Sequence, residues 1–567
     1  MTWKFDVPRL PELRPAARFR VVWWSAAAIV SLCCHPTSAQ TSVYESNSFW
    51  GVNMLCSTPA LPPTALNIAP SAGAVTLSWP VTGSNSFSSS NYVLDVTTDA
   101  SVSDSWSFVS PPATLSGDEM VATLPATNDQ QFFRLRAPDH CRAPVFQFAV
   151  FYDGLLEFSS ISTWLSTGRV HANSDIYTGS ASQVTLNRTV TAVGTISSPA
   201  NNGAGTNWTY KGVFNGNPAH VTNVPPLLLY PEDLTTNTHA LIDMPPPWIP
   251  PTNATERARL YNLASVILLI SNTTATAKIQ AAPSAGEVPG NDPFPTIIGP
   301  IFTTNLIALA ANFPFLNLTN TITDQRESAT GTKRVYPADI DLAKYKQWIA
   351  TNTLVTSKTI APTILYVANN RPHSATVLPA VRLKNGKDLP SNGGLGFTVV
   401  TPNPLYVVGH YNCPDNTHLG TTNTSATVPA ALMSDALTIL SENWLDSQSG
   451  SSYAMRKAKD TTINCAILTG NVPSTGTGNT QFSGGVHNLV RLLEDWLSSG
   501  QKTLTLNTSF VCLFPSNQAT NKYRNPGNYG LPNPYFDPPK RNYSLDARFL
   551  NVSNLPPGTP LVCTIGP

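Results

Sequence analysis

Between residues 64 and 138 the chain alternates apolar and polar side chains in short runs. Val75 to Trp79 (VTLSW), Tyr92 to Val96, Trp106 to Phe108, Met120 to Leu124 and Phe132 to Arg136 all step with a period of two. That period sends successive side chains to opposite faces, so these runs predict half-buried strands. Ser, Asn, Gly and Pro punctuate them, which predicts a small sandwich with Trp79 as its core aromatic.

From Val145 the texture changes. FQFAVFYDGLLEF, GRVHANSDIYTG and VTLNRTVTAVGTI are short β-prone stretches, each ended by Gly, Asn or Asp. Such steps read equally as stacked rungs of a β-solenoid or as a meandering sheet. After Pro250, Asn253 with Glu256 three residues later marks a helix start, with Arg257 to Leu263 helical and Val266 to Ile270 a strand. Ala338 to Trp348 holds another short helix capped by Asp339 or Asp341. Ile364 to Val367, Leu405 to Val408, Ile463 to Leu468 and Thr503 to Phe514 read as strands, and Ala430 to Trp444 and Val486 to Trp496 as helices. The expected fold class is therefore mainly β: a small β-sandwich followed by a large β-rich domain, solenoid-like in one reading, with short α/β insertions. The expected boundaries are 1–39 for a signal peptide, 40–63 for a linker, 64–138 for the sandwich and 142–567 for the β-rich domain, with an α/β insertion around 252–360.

Composition narrows the function. Only 12 % of the 567 residues are charged, while 41 % are apolar and fifty are proline, which favours short strands and turns and a chain that folds. With 34 basic against 33 acidic residues and a formal charge of +1, nucleic-acid binding has no electrostatic support. At the N-terminus Lys4, Arg9, Arg14, Arg18 and Arg20 precede an apolar run from Val21 to Cys34. This predicts export, with cleavage after Ala39, and no transmembrane span in the mature chain. Periplasm, cell surface or secretion are the expected destinations. The remaining cysteines, Cys56, Cys141, Cys413, Cys465, Cys512 and Cys563, form an even set that predicts disulfides of unassigned pairing in an oxidising compartment.

Two resemblances follow from these residues. AVTLSWP, WSFV and QQFFRLRAP resemble a fibronectin type III or immunoglobulin-like module. The ordered series GRVHANSDIYTG, TITDQRES, ADIDLAKYKQW, ILYVANNRP, TPNPLYVVGHYN, TTINCAILTGN and FSGGVHNLVRLLEDW, from about Pro144 to Pro560, resembles a group of exported bacterial proteins. That group is similar to the extracellular part of type IV pilus-assembly, minor-pilin-like proteins. The resemblance implies pilus or envelope proteins as partners. The basic leader, Gly-Phe cleavage point and hydrophobic helix of a pilin are not read here, which points to a secreted cousin, tip component or adhesin.

Candidate chemistry is sparse. His171, Asn173 and Asp175 would line one strand face; a metal or sugar site is one reading, and an exposed rung face or ladder is the favoured one. Asp324, Arg326 and Glu327 invite comparison with the paired carboxylates of a glycosidase, or form a loop ion pair. His410, Cys413 and His418 lack the fourth ligand of a zinc site. His487, Glu494 and Asp495 read as solvated residues beside an apolar helical stripe. Neither G-x-S-x-G, a P-loop nor an EF-hand is present. These readings call for no cofactor, no metal and no catalytic residue. They predict a structural or adhesive exported protein, with a polysaccharide-acting enzyme or a carbohydrate-binding protein as the alternative and polysaccharide as a further partner.

Overall fold

The computed structural model describes the backbone of residues 43–46 and 53–57 and most of 65–564. The longer stretches outside the description are 1–42, 82–92, 99–106, 198–211, 247–255, 280–312, 476–482 and 524–534. The expected signal peptide and its cleavage point thus lie outside the described residues, as do Asn253 and the side chains of Cys56 and Cys141. Within the expected linker the chain runs as two strands, Val43–Ser46 and Asn53–Ser57. The described residues fall into two compact units, 55–141 and 142–565, the second also taking in 44–54.

In the first unit, Asn67–Ser71, Ala74–Pro80, Glu119–Pro125 and Thr114–Ser116 form one antiparallel sheet; Ser107–Phe108, Val93–Thr97 and Phe132–Arg136 form another. Side chains alternate between buried and half-buried along Ala74–Pro80, as its sequence requires. The inward faces of both sheets meet around a fully buried Trp79, with Leu77, Leu94, Val109 and Phe133 beside it.

The second unit begins with stacked rungs. Val150–Tyr152, Leu156–Glu157 and Trp164–Ser166 lie one rung from Val170–Ala172, Ile176–Tyr177 and Val184–Leu186, all parallel and in register. A third rung, Val190–Ala192, Ile196–Ser197 and Gly212–Phe214, stacks on these, and His220–Val221 starts a fourth. Each rung drops an aliphatic residue into the shared interior, as with Val150, Val170 and Val190. A single rung cannot bury that face alone, so stacking is what makes the core.

On the other side of Val150–Tyr152 the same sheet continues. Its order is Phe510–Cys512, Ala466–Thr469, Ala430–Leu440, Phe397–Val408, Ile364–Asn369 and Val266–Ser271, all parallel, closed by the antiparallel Thr274–Ile279. A second parallel sheet runs Thr461–Asn464, Thr503–Asn507, Lys540–Ser544.

Two long strands fork. The first half of Phe397–Val408 pairs with Ile364–Asn369 and the second with Val377–Lys384. Likewise Ala430–Leu440 pairs first with Ala466–Thr469 and then with Val490–Leu492. The register shifts between Thr401 and Pro404, where neighbours diverge and backbone groups lose ladder partners. Side-chain amides replace them. Asn403 Oδ1 accepts from the Asn369 N–H at 2.8 Å, and Asn369 Nδ2 donates to the Tyr336 and Ala380 carbonyls at 3.0 and 2.8 Å.

Two sequence expectations are corrected. Ala430–Leu440 is a strand, not a helix, and all its residues are buried, so no alternation survives to reveal it. Val486 to Trp496 is a 3₁₀ turn followed by the strand Val490–Leu492. By contrast Leu342–Thr351 is helical, with Asp341 as its cap accepting from the Lys344 N–H at 3.1 Å. Among the described residues no helix is long and apolar enough to cross a membrane.

Candidate functional site

An open cleft of ≈ 860 Å³ lies beyond the carboxyl ends of three adjacent parallel strands. Val377–Lys384 delivers Lys384, Asn385, Lys387 and Asp388; Phe397–Val408 delivers Gly409 and His410; Ala430–Leu440 delivers Glu442. The helix Leu342–Thr351 closes one side with Ala343, Lys346, Gln347 and Ala350. Side chains from three strand ends and one helix converge there.

The local turns that aim these residues are specific. Asn385 and Gly409 sit at φ 55° and 77°. A Cβ on Gly409 would also meet Glu442 Cγ at 2.9 Å, so glycine lets the glutamate cross the turn. The loop carrying Lys387 is fixed by the N–H groups of Asn412 and Cys413, which donate to the carbonyls of Gly386 and Lys387 at 2.8 Å each.

His410 Nδ1 accepts the Thr462 backbone N–H at 3.0 Å, which leaves Nε2 as the protonated nitrogen, 3.8 Å from Glu442 Oε1. Burial, then the charges of Lys387 and Lys459, depress the His410 pKa against the pull of Glu442. The imidazole is therefore neutral near pH 7. Glu442 is held below the usual carboxylate range by Lys459 at 2.8 Å, with His410 and Lys387 adding to the effect. Lys346 pairs with Asp388 at 2.7 Å, and Lys384 with Asp339 at 2.8 Å. The cleft is thus lined by ion-paired donors and acceptors together with the small residues Ala343, Ala350 and Gly409.

The residues singled out in the sequence lie elsewhere. His171 is fully buried, so the rung face that carries it is not exposed. Its Nδ1 meets Thr191 Oγ1 and its Nε2 meets Asn173 Oδ1, both at 2.8 Å, while Asn173 Nδ2 donates to Asp153 at 2.9 Å. Burial pushes the His171 pKa down to about 4 although the Asn173 contact opposes this. Asp175 Oδ1 accepts from the Thr195 N–H and hydroxyl at 2.6 and 2.9 Å, and a Cβ on Gly194 would strike it at 2.3 Å. These residues are rung-to-rung ties.

Asp324, Arg326 and Glu327 are also buried. Asp324 Oδ2 accepts from Tyr406 at 2.7 Å and its Oδ1 from the N–H groups of Arg326 and Glu327. Arg326 donates to Asn488 Oδ1 and the Asn521 carbonyl, both at 3.0 Å. Glu327 pairs with Arg491 at 2.6 Å instead of with its sequence neighbour. Burial raises the Glu327 pKa, and Arg491 pulls it back.

His487, Glu494 and Asp495, expected in solvent, are buried as well. Glu494 accepts from the Ser441 N–H and hydroxyl at 2.6 and 2.7 Å, yet burial still lifts it to about 7. His410, Cys413 and His418 do not converge, and no group of metal-ligating side chains occurs among the described residues. No disulfide joins described residues: Cys413, Cys465 and Cys512 are buried thiols. Cys465 and Cys512 both sit in the apolar core of the second unit.

Sequence reasoning missed the cleft and two further features. One is the ladder Asn412, Asn464, Asn507 and Ser544 across successive rungs, with side-chain bonds of 2.7 to 2.9 Å. The other is His239, clasped between Asp243 at 2.8 Å and Asp435 at 3.3 Å. Asp435 also accepts backbone N–H groups of Asn517, Gln518 and Ala519.

No family model matches the chain, and no curated protein matches it. Among solved structures it is similar to the competence-associated pilin ComZ from Thermus thermophilus at 10 % identity, over 95 % of this chain and 85 % of that one, with a TM-score of 0.24. That score is far below the value two chains of one fold give.

Proposed function

We propose that this chain is a non-enzymatic structural or adhesive protein of the cell exterior that works with a pilus-like assembly. The observation that supports this reading is where the polar residues are committed. Asn412, Asn464, Asn507 and Ser544 tie one rung to the next, as do His171 with Thr191 and Asp175 with Thr195. Asp324, Arg326 and Glu327, which suggested hydrolysis, are each committed to a different buried partner inside the second unit: Tyr406, Asn488 and Arg491. Parallel strands cross-tied in this way resist being pulled apart, because each rung is held by backbone and side-chain bonds at once. The N-terminal basic and apolar stretch and the resemblance of residues 144–560 to pilus-assembly proteins favour export and an appendage partner.

The test is fractionation of native cells carrying a tagged chain, with mass spectrometry of its N-terminus and of co-purifying proteins. Recovery with sheared appendages, beginning at Gln40, is the expected result; a free secreted chain without an assembly partner would overturn the appendage part. A second reading, carbohydrate binding, is favoured by the cleft with Asp388, Glu442 and the His410 Nε2–H on its walls.

A further inference from the structure

We propose that the cleft beyond the strand ends of Val377–Lys384, Phe397–Val408 and Ala430–Leu440 binds an acidic saccharide, a sugar ring bearing one carboxylate. The proposal rests on the adhesive reading only in that it names what the surface would hold. A sugar ring needs acceptors for its hydroxyl hydrogens, donors for its oxygens and an apolar bed for its C–H face. Asp388 and Glu442 are acceptors: one oxygen of each is held by Lys346 or Lys459, and the other oxygen can take a ring hydroxyl. The amides of Gln347 and Asn385 both donate and accept, and Ala343, Ala350 and Gly409 make the bed. A cleft of ≈ 860 Å³ lies within the roughly 300–1,000 Å³ of small-ligand sites.

The acidic part follows from Lys387. Lys346 and Lys384 each have a carboxylate within 3 Å, and Glu442 is paired by Lys459. Lys387 alone of the lining lysines makes no ion pair among the described residues; its ammonium donates to the amide oxygen of Asn416. The loop that bears it is pinned by two backbone bonds, so its position does not wait for a ligand. Lys387 lines the same cleft as His410 and Glu442, and its charge adds to the lowering of both. A ligand carboxylate paired with Lys387 would supply the counter-ion that this ammonium lacks among the described residues, and the ring hydroxyls would then reach Asp388 and Glu442 on the same lining. Because His410 Nδ1 accepts a backbone N–H, its Nε2 carries the proton, 3.8 Å from the lining Glu442.

The test is calorimetric titration of the full chain with oligogalacturonate, with a neutral cello-oligosaccharide and with sodium sulfate as separate ligands. Oligogalacturonate is expected to bind, with affinity falling as salt rises. Lys387→Gln should weaken it by roughly 10- to 100-fold, the span expected for losing a hydrogen bond to a charged group. Lys522→Gln, remote from the cleft, should leave it unchanged, and equal thermal midpoints would show that both variants fold. Equal binding of the neutral oligosaccharide, displacement of the sugar by sulfate at matched ionic strength, or no binding of oligogalacturonate would each overturn the proposal. Failure here with recovery on sheared appendages would leave the appendage reading standing, and saccharide binding by a free secreted chain would overturn the appendage part alone.

Discussion

The Glu327–Arg491 pair gives a prediction in which the two halves differ. Both side chains are buried, with exposures of 1 % and 3 %, and their contact is 2.6 Å. Arg491 also donates to the Ala519 carbonyl at 2.5 Å, and Glu327 has Lys333 at 4.0 Å. Breaking a buried pair costs about 3–5 kcal/mol because one charge is stranded. After Glu327→Gln the stranded group is a guanidinium, which cannot lose its proton, so the full cost is expected at any pH between 5 and 7. After Arg491→Met the stranded group is a carboxyl that burial already pushes upward, and it escapes by taking a proton. From the ordinary value of 4.5, that escape costs about 3.4 kcal/mol at pH 7 and about 0.7 kcal/mol at pH 5, at about 1.36 kcal/mol per unit. The lost bond to Ala519 adds roughly 1–3 kcal/mol at both. Urea denaturation followed by tryptophan fluorescence should therefore show an Arg491→Met penalty that shrinks from pH 7 to pH 5 by up to about 2.7 kcal/mol, the limit set by a wild-type carboxyl that stays ionised throughout, beside a Glu327→Gln penalty that stays level. An Arg491→Met penalty independent of pH, or a Glu327→Gln cost under about 1 kcal/mol, would refute the reasoning.

Three further outcomes are expected. Burial would depress His239, but its bonds to Asp243 and Asp435 and their charges raise it to about 9. Its stabilising effect is then full below pH 6.5 and fades as pH rises through 9, so His239→Gln should flatten the fall in unfolding midpoint over that window; an unchanged slope would contradict the clasp. Burial lifts Glu157 to about 7 despite a 2.8 Å bond from Ser474, and its Oε1 has no partner among the described residues. Its contribution is present below 4.5 and lost as pH rises through 7, so Glu157→Gln should raise the thermal midpoint at pH 8 and not at pH 4; equal shifts at both would argue against it. Burial pushes the Cys512 thiol up to about 12, and Cys465 is raised as well. Both should stay unlabelled by a thiol reagent in the native protein and react once it is unfolded in urea, whereas prompt native labelling would mean that the interior opens.

How much of this was legible in the sequence depends on whether one face of an element meets water. Ala74–Pro80 has such a face, and its period of two locates both the strand and Trp79. The helix cap was legible as one of two residues, Asp339 or Asp341, because a cap is a local event; Asp341 fills it. Ala430–Leu440 is covered on both faces, so its unbroken apolar run reads as readily as a buried helix. Glu494 looked solvated because Ser441, which accommodates its carboxylate, lies fifty-three positions away. The cleft has the same character: Lys346, Lys387, His410 and Glu442 come from a helix and three strand ends, and no local spacing records that the sheet brings them together. The motif at Asp324 to Glu327 was visible, but its true counter-ion, Arg491, was not.

The rungs also say where the protein can change size. Six residues (158–163, then 178–183) join the second and third strands of the first two rungs, and fourteen (198–211) make the same connection in the third. Even so, Gly212–Phe214 enters in register with Val184–Leu186. Loop closure grows costlier only with the logarithm of length, roughly 0.6 kcal/mol per doubling. One corner of the stack is therefore a port: a foreign epitope or an additional recognition loop spliced there would alter what the protein displays while the frame behind it stays as it is.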